Sequence, residues 1–87
     1  MHELSIAISL VELACEEAAR QGRVRVDTLF VRVGSLSGVV PGALRFSFDV
    51  AADGTAIAGA ALEIEEVAAS RALELAALEV TDVSADC

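Results

Sequence analysis

Lysine, tryptophan and tyrosine are absent from this chain of 87 residues, and proline, histidine and methionine occur once each. Six arginines against fourteen acids leave a formal net charge of −8. Such a chain has no basic patch for a phosphate backbone and none for anionic lipid, so neither nucleic acid nor membrane is an expected partner. The charge favours solubility or a basic protein partner. No apolar run approaches the roughly 18 residues of a membrane span. No basic segment precedes an apolar one at the start, so no secretory signal is read and a cytoplasmic location is expected. The two cysteines, Cys15 and Cys87, form no C-x-x-C, and no structural zinc site is expected. Cys15 falls in a helical pattern as a small hydrophobe, and a Cys15–Cys87 disulfide is not expected in a reducing compartment. With three phenylalanines as the only aromatics, the core must be built from Val, Leu, Ile and Ala. No Ser–His or Cys–His pair stands out, so no catalytic residue is assigned and an enzyme is not expected.

What is present reads in order as α-β-α-β and then an ambiguous segment. Residues 4–21 have helical spacing, with Leu4, Ala7, Ile8, Val11, Ala14, Cys15 and Ala18 on one stripe and Gly22 as the terminator. Residues 24–34 alternate as a strand, Leu29, Val31 and Val33 on one face and Thr28, Phe30 and Arg32 on the other. The turn Gly34-Ser35-Leu36-Ser37-Gly38 lacks the G-K-[ST] of a phosphate loop. Its expected task is to bring backbone amides near the amino terminus. Pro41 opens a second helix over about 41–53, with Leu44, Phe48 and Ala51 as its stripe and Phe46 and Val50 beside it. Residues 61–68 read as a second strand whose glutamates are a solvated face rather than a site. Residues 71–80 are rich in Ala, Leu and Glu, which favour helix, yet Leu73-Glu74-Leu75 and Leu78-Glu79-Val80 alternate.

The residues with chemical potential are the first three. His2 is the only histidine. Its imidazole Nδ1 and its own amide nitrogen can close a six-membered chelate ring. The Met1 amine and the Glu3 amide each close a five-membered ring with that same amide. All-nitrogen planar sets suit Ni(II) and Cu(II) rather than zinc. The first N–H groups of a helix have no intrahelical acceptor, so a metal can replace their protons without breaking helix bonds. In a square plane the His2 amide has only two cis neighbours, so at least one donor must come from a turn amide, water or a partner. The bland alternative is that a lone histidine here is a solvent-exposed residue and nothing more.

Four blocks carry a family resemblance: Met1-His2-Glu3-Leu4-Ser5-Ile6-Ala7, Val33-Gly34-Ser35-Leu36-Ser37-Gly38-Val39-Val40-Pro41, Ala43-Leu44-Arg45-Phe46-Ser47-Phe48, and Gly59-Ala60-Ala61-Leu62-Glu63-Ile64-Glu65-Glu66-Val67. Together, over residues 1 to about 68, they resemble the HypA/HybF family of nickel-incorporation metallochaperones for [NiFe] hydrogenase maturation. The resemblance implies an α/β fold of the two-layer α+β kind, two helices on one face of a three-stranded sheet in the order α-β-α-β-β. It implies Ni(II) at Met1, His2 and Glu3, a HypB-type GTPase as partner, and the hydrogenase large-subunit precursor as client. It also implies a zinc module with two C-x-x-C pairs between the second and last strands, and this chain lacks those pairs. The resemblance therefore makes 72–80 the returning strand, with the module excised at about Ala69–Ser70. One domain is expected over 1–81, with 82–87 as a frayed tail. The open face of so small a sheet invites self-association as a homodimer. The alternative function is a zinc-less scaffold or interaction subunit of a metalloenzyme assembly that no longer traffics metal.

Overall fold

The computed structural model describes residues 2–83. Helix α1 spans Glu3–Gln21, strand β1 Val24–Gly34, helix α2 Pro41–Ala52, strand β2 Ala61–Val67 and strand β3 Leu73–Asp82. The expected α+β arrangement, two helices with a three-stranded mixed sheet, is the one observed. Gly22 ends α1 with φ +96°, a conformation open to glycine without a Cβ penalty, and its N–H donates to the Ala19 carbonyl. Pro41 occupies the first turn of α2, where its missing N–H costs no helix bond.

β1 is the central strand, in the order β2-β1-β3. It runs parallel to β2, to which α2 connects it as a crossover, and antiparallel to β3. Leu29 and Val31 lie beside Leu62 and Ile64 of β2, and Val33, Val31, Leu29 and Val26 lie beside Leu73, Leu75, Leu78 and Val80 of β3. This is the face the helices cover, and Leu29, Val31, Leu44, Phe48 and Ile57 are its most deeply buried large side chains. The register explains why 73–82 is a strand although its composition favours helix. Alternation delivers every second residue to a row already apolar on β1, and the unpaired Ala76 forms a bulge that keeps the later residues in phase. The strand reaches Asp82, one residue into the expected tail, and the Val83 N–H donates to the Arg23 carbonyl. Residues 84–87, including Cys87, lie outside the described residues.

The helical stripes are rotated from those expected. On α1 the buried set is Glu3, Ala7, Leu10, Val11 and Ala14, while Leu4 and Ile8 are nearly half exposed. On α2 it is Leu44, Phe48 and Ala52, and Ala51 is only half-buried. Sequence spacing alone fits either stripe. The packing of α1 against both α2 and the sheet decides between them, because the fully buried Ala7 and Ala14 permit close approach.

The opposite face of the sheet is mostly polar, with Phe30 as its exposed apolar side chain. Arg32 reaches Glu65 of β2 at 2.9 Å and Glu74 of β3 at 3.5 Å, a bridge across all three strands. Thr28 donates to Glu79, and both Arg25 and Thr81 donate to Asp27. Exposed pairs of this kind contribute little to stability individually. They do make this face wet, which weakens the drive to self-associate through it.

Because β1 lies between β2 and β3, residues 68–72 must pass over its end. The N–H groups of Gly34, Ser35 and Leu36 donate to the carbonyls of Ala72, Val67 and Ser70 at 2.7, 2.9 and 2.7 Å. Ser35 Oγ accepts the Ala69 N–H at 2.9 Å. Gly34 is required by proximity rather than by its own dihedrals: a Cβ there would collide with the Ser70 carbonyl and stand 2.9 Å from the Ala72 nitrogen. Ala69 takes φ +53° to make the turn, a conformation that costs an L-residue roughly 1–2 kcal/mol. Two phenylalanines and this glycine test the packing. Phe48→Ala should lower the unfolding free energy by about 3–5 kcal/mol, Gly34→Ala by about 1–3 kcal/mol, and Phe46→Ala by less than about 0.5 kcal/mol, all measured by urea denaturation. Equal losses for the two phenylalanines would contradict the rotation given for α2.

Candidate metal centre at the amino terminus

His2 is the N-cap residue of α1, with φ −100° and ψ 39°. Its carbonyl accepts the Ile6 N–H at 3.0 Å, which fixes the residue's backbone to the helix. Its imidazole makes no capping hydrogen bond and is exposed. The ring is therefore anchored at its base and free at its nitrogens. Met1 lies outside the described residues.

Glu3 behaves differently. It is the one buried charged residue among those described, 6% exposed, and its Oε2 accepts the Val40 N–H at 3.1 Å. Val40 is the N-cap of α2. The carboxylate thus joins the first turns of both helices, where the positive ends of two helix dipoles favour an anion. The Val40 N–H holds the carboxyl below its usual value of 4.5, Glu3's own backbone N–H adds to this, and burial works against them. The side chain is committed to this bridge, and a metal taking Glu3's backbone nitrogen would have to displace the proton it shares with the carboxylate.

Val40, just after the turn, reaches the terminus through Glu3, and most of the turn's amides are engaged elsewhere. Ser35, Leu36 and Ser37 donate to Val67, Ser70 and Gly34 carbonyls, Val39 to Ser37 Oγ, and Val40 to Glu3. Among the described residues no three His, Cys, Asp or Glu side chains gather where they could hold an ion. The chemistry open to this end of the molecule is therefore one imidazole beside main-chain nitrogens. The Glu3–Val40 bond was not legible in the sequence, since it links residues 37 apart and no local pattern pairs them. The acidic residue in the first helical turn was the only available signal.

The family model described as "Hydrogenase/urease nickel incorporation, metallochaperone, hypA" matches residues 1–85. The chain belongs to the HypA family. A protein of Roseiflexus sp. (strain RS-1) named hydrogenase maturation factor HypA is 63% identical over 67 residues, which are 77% of this chain and 54% of the relative. Its namesake in Chloroflexus aurantiacus (strain ATCC 29366 / DSM 635 / J-10-fl) is 55% identical over 67 residues, 77% of this chain and 59% of the relative. That of Deinococcus radiodurans is 48% identical over 67 residues, 77% and 56% respectively. The chain thus spans little more than half the length of these HypA relatives, and its connection between β2 and β3 is the short segment 68–72.

The Glu3 bridge has a pH signature. A carboxyl held below its usual value stabilises the fold fully above that value, and the contribution is lost as pH falls through the lowered one. Thermal stability should therefore decline as pH drops below about 4.5, with Asp27 adding a loss below about 3.8. Glu3→Gln should melt lower than the parent at pH 7 and show a shallower acid decline. An unchanged acid profile in that variant would remove the bridge from the account.

Proposed function

We propose that this chain carries Ni(II) at its amino terminus as a step in [NiFe] hydrogenase maturation. The donors are the His2 amide nitrogen, two of the three groups that can stand cis to it (the His2 imidazole, the Met1 amine and the Glu3 amide), and one from elsewhere. The observation that carries the proposal is the division of labour between neighbours. Glu3 is buried and fixes the start of α1 to α2, while His2 beside it holds an uncommitted ring on an anchored backbone. Membership of a family described as nickel-incorporating supports nickel as the metal. The donor that short chelate rings cannot reach is the Gly38 amide, water or a group from the recipient. An open position suits a carrier, since a recipient ligand can enter before the carrier's nitrogens leave. A HypB-type GTPase and the hydrogenase large-subunit precursor are the partners proposed, in the cytoplasm. Among the described residues no helix is long and apolar enough to cross a membrane.

A second reading has one observation behind it, the chain's reach over only 54–61% of its relatives' length. In that reading the helix-and-sheet unit is kept as a zinc-less scaffold or interaction subunit that does not traffic metal. Calorimetric and absorbance titration of Ni(II) separates the two. The parent should give a yellow, low-spin planar signal whose affinity rises with pH, because amide protons must leave. His2→Ala should abolish that signal, a single-residue extension before Met1 should weaken it, and Glu3→Gln should weaken it about tenfold by loosening the supporting shell. Equal, weak binding by parent and His2→Ala would leave the scaffold reading.

A further inference from the structure

Among the described residues the most exposed large apolar side chain lies on α2. Phe46 is 73% exposed and Val50, one turn on, is 54% exposed. With Ala58, Gly59 and Ala60 they border an open cleft of about 480 Å³ based on Phe48 and Ala52. Asp49 and Asp53 stand three and seven residues beyond Phe46, on the same side of α2, and line the same cleft. Their placement works against the helix. Asp49 is in the last turn and Asp53 is the C-cap, where the partial negative charge of the carbonyl end disfavours carboxylates. Among the described residues neither makes an ion pair that would offset this. Arg45, one turn before Asp49, instead donates to the Leu62 carbonyl at 2.6 Å.

We propose that this face of α2, Phe46 to Asp53 with the 58–60 turn, is a docking cleft for a protein partner that presents an apolar segment bearing arginine or lysine. Such a segment would cover the Phe46 ring and Val50. Its cations would meet Asp49 and Asp53 and relieve their conflict with the helix dipole. A guanidinium fits best, because it can fork onto a carboxylate and stack on an aromatic face. Anionic surfaces are repelled from the same cleft.

A second copy of this chain makes a poor occupant. Of its six arginines, Arg20, Arg25, Arg32 and Arg45 are already engaged with Glu17, Asp27, Glu65 and Glu74, and the Leu62 carbonyl. That leaves Arg23, just before β1, and Arg71, in the crossover at the other end of β1. They are separated by the length of an eleven-residue strand, about 35 Å, and cannot form one cationic patch. The cleft begins about 9 Å and ends about 20 Å along α2 from Val40, so a partner seated there has the amino terminus within reach. The proposal does not rest on nickel binding.

The test uses the full chain and two synthetic amphipathic peptides, one with Leu and Arg at helical spacing and one with Glu in place of Arg. Binding is followed by anisotropy of the labelled peptide and by amide shifts of the ¹⁵N-labelled protein. The Arg peptide should bind with shifts confined to residues 46–60, and more weakly as salt rises. Affinity should fall at least tenfold in Phe46→Ala and in Asp49→Asn/Asp53→Asn. The double variant should melt at or above the parent temperature, which a merely structural role for these carboxylates would not give. His2→Ala should bind the peptide as the parent does, so failure of nickel binding and failure of this proposal are read separately. No binding, equal binding of the Glu peptide, or shifts centred on β3 or His2 would overturn it. So would concentration-dependent shifts at Phe46 without peptide, which would identify a second copy as the occupant.

Discussion

The close approach of Gly34 to Ser70 is the constraint from which the rest of the arrangement follows. A central strand whose two neighbours are consecutive in sequence forces the chain around its end, and here only residues 68–72 are available for the passage. The passage is possible because position 34 has no side chain and because the N–H groups of Gly34, Ser35 and Leu36 find carbonyls at Ala72, the end of β2 (Val67) and Ser70. Those bonds fix the start of the loop that leads to Val40. Val40 in turn meets Glu3, and Glu3 fixes the backbone that carries His2. The geometry of the terminus is thus set by a junction in the second half of the sequence.

This dependence explains which features could be read from the sequence. Gly22 and Pro41 mark helix ends through local backbone chemistry, and the observed ends lie within a residue or so of where they point. The faces of β1 are legible from its alternation, Leu29, Val31 and Val33 against Thr28, Phe30 and Arg32, with Phe30 the one apolar exception. Residues 73–82 resisted a local reading. Leucine, alanine and glutamate favour helix in isolation, and only pairing with β1 makes their alternation decisive. The strand was assigned by family resemblance, since propensity pointed elsewhere.

The two offset stripes fail for a related reason. Hydrophobic periodicity defines an arc on a helix but not which edge of that arc is covered. Leu4 and Ile8 fit the pattern on α1 as well as Leu10 does, and the partner surfaces bury Leu10. At the terminus, the sequence pointed to Met1, His2 and Glu3 as a set. The described residues separate Glu3's side chain, which supports the structure, from His2's, which is free. No single-residue rule could have divided them, because the division depends on a donor from a different helix.

The acids follow the same logic of engagement. Glu65, Glu74, Asp27 and Glu17 each have an arginine, and Glu3 has backbone N–H groups at two helix starts. Asp49 and Asp53 stand at the carboxyl end of α2, where the backbone's own field opposes them, beside apolar side chains exposed to water. Folding alone gives no reason for either choice. Lysine at 49 and a small polar residue at 46 would serve an isolated domain better, since each removes an unfavourable contact with the helix field or with solvent. Because stability is the small remainder of large opposing terms, a site that combines both unfavourable choices is where function has the clearest opportunity to outweigh folding.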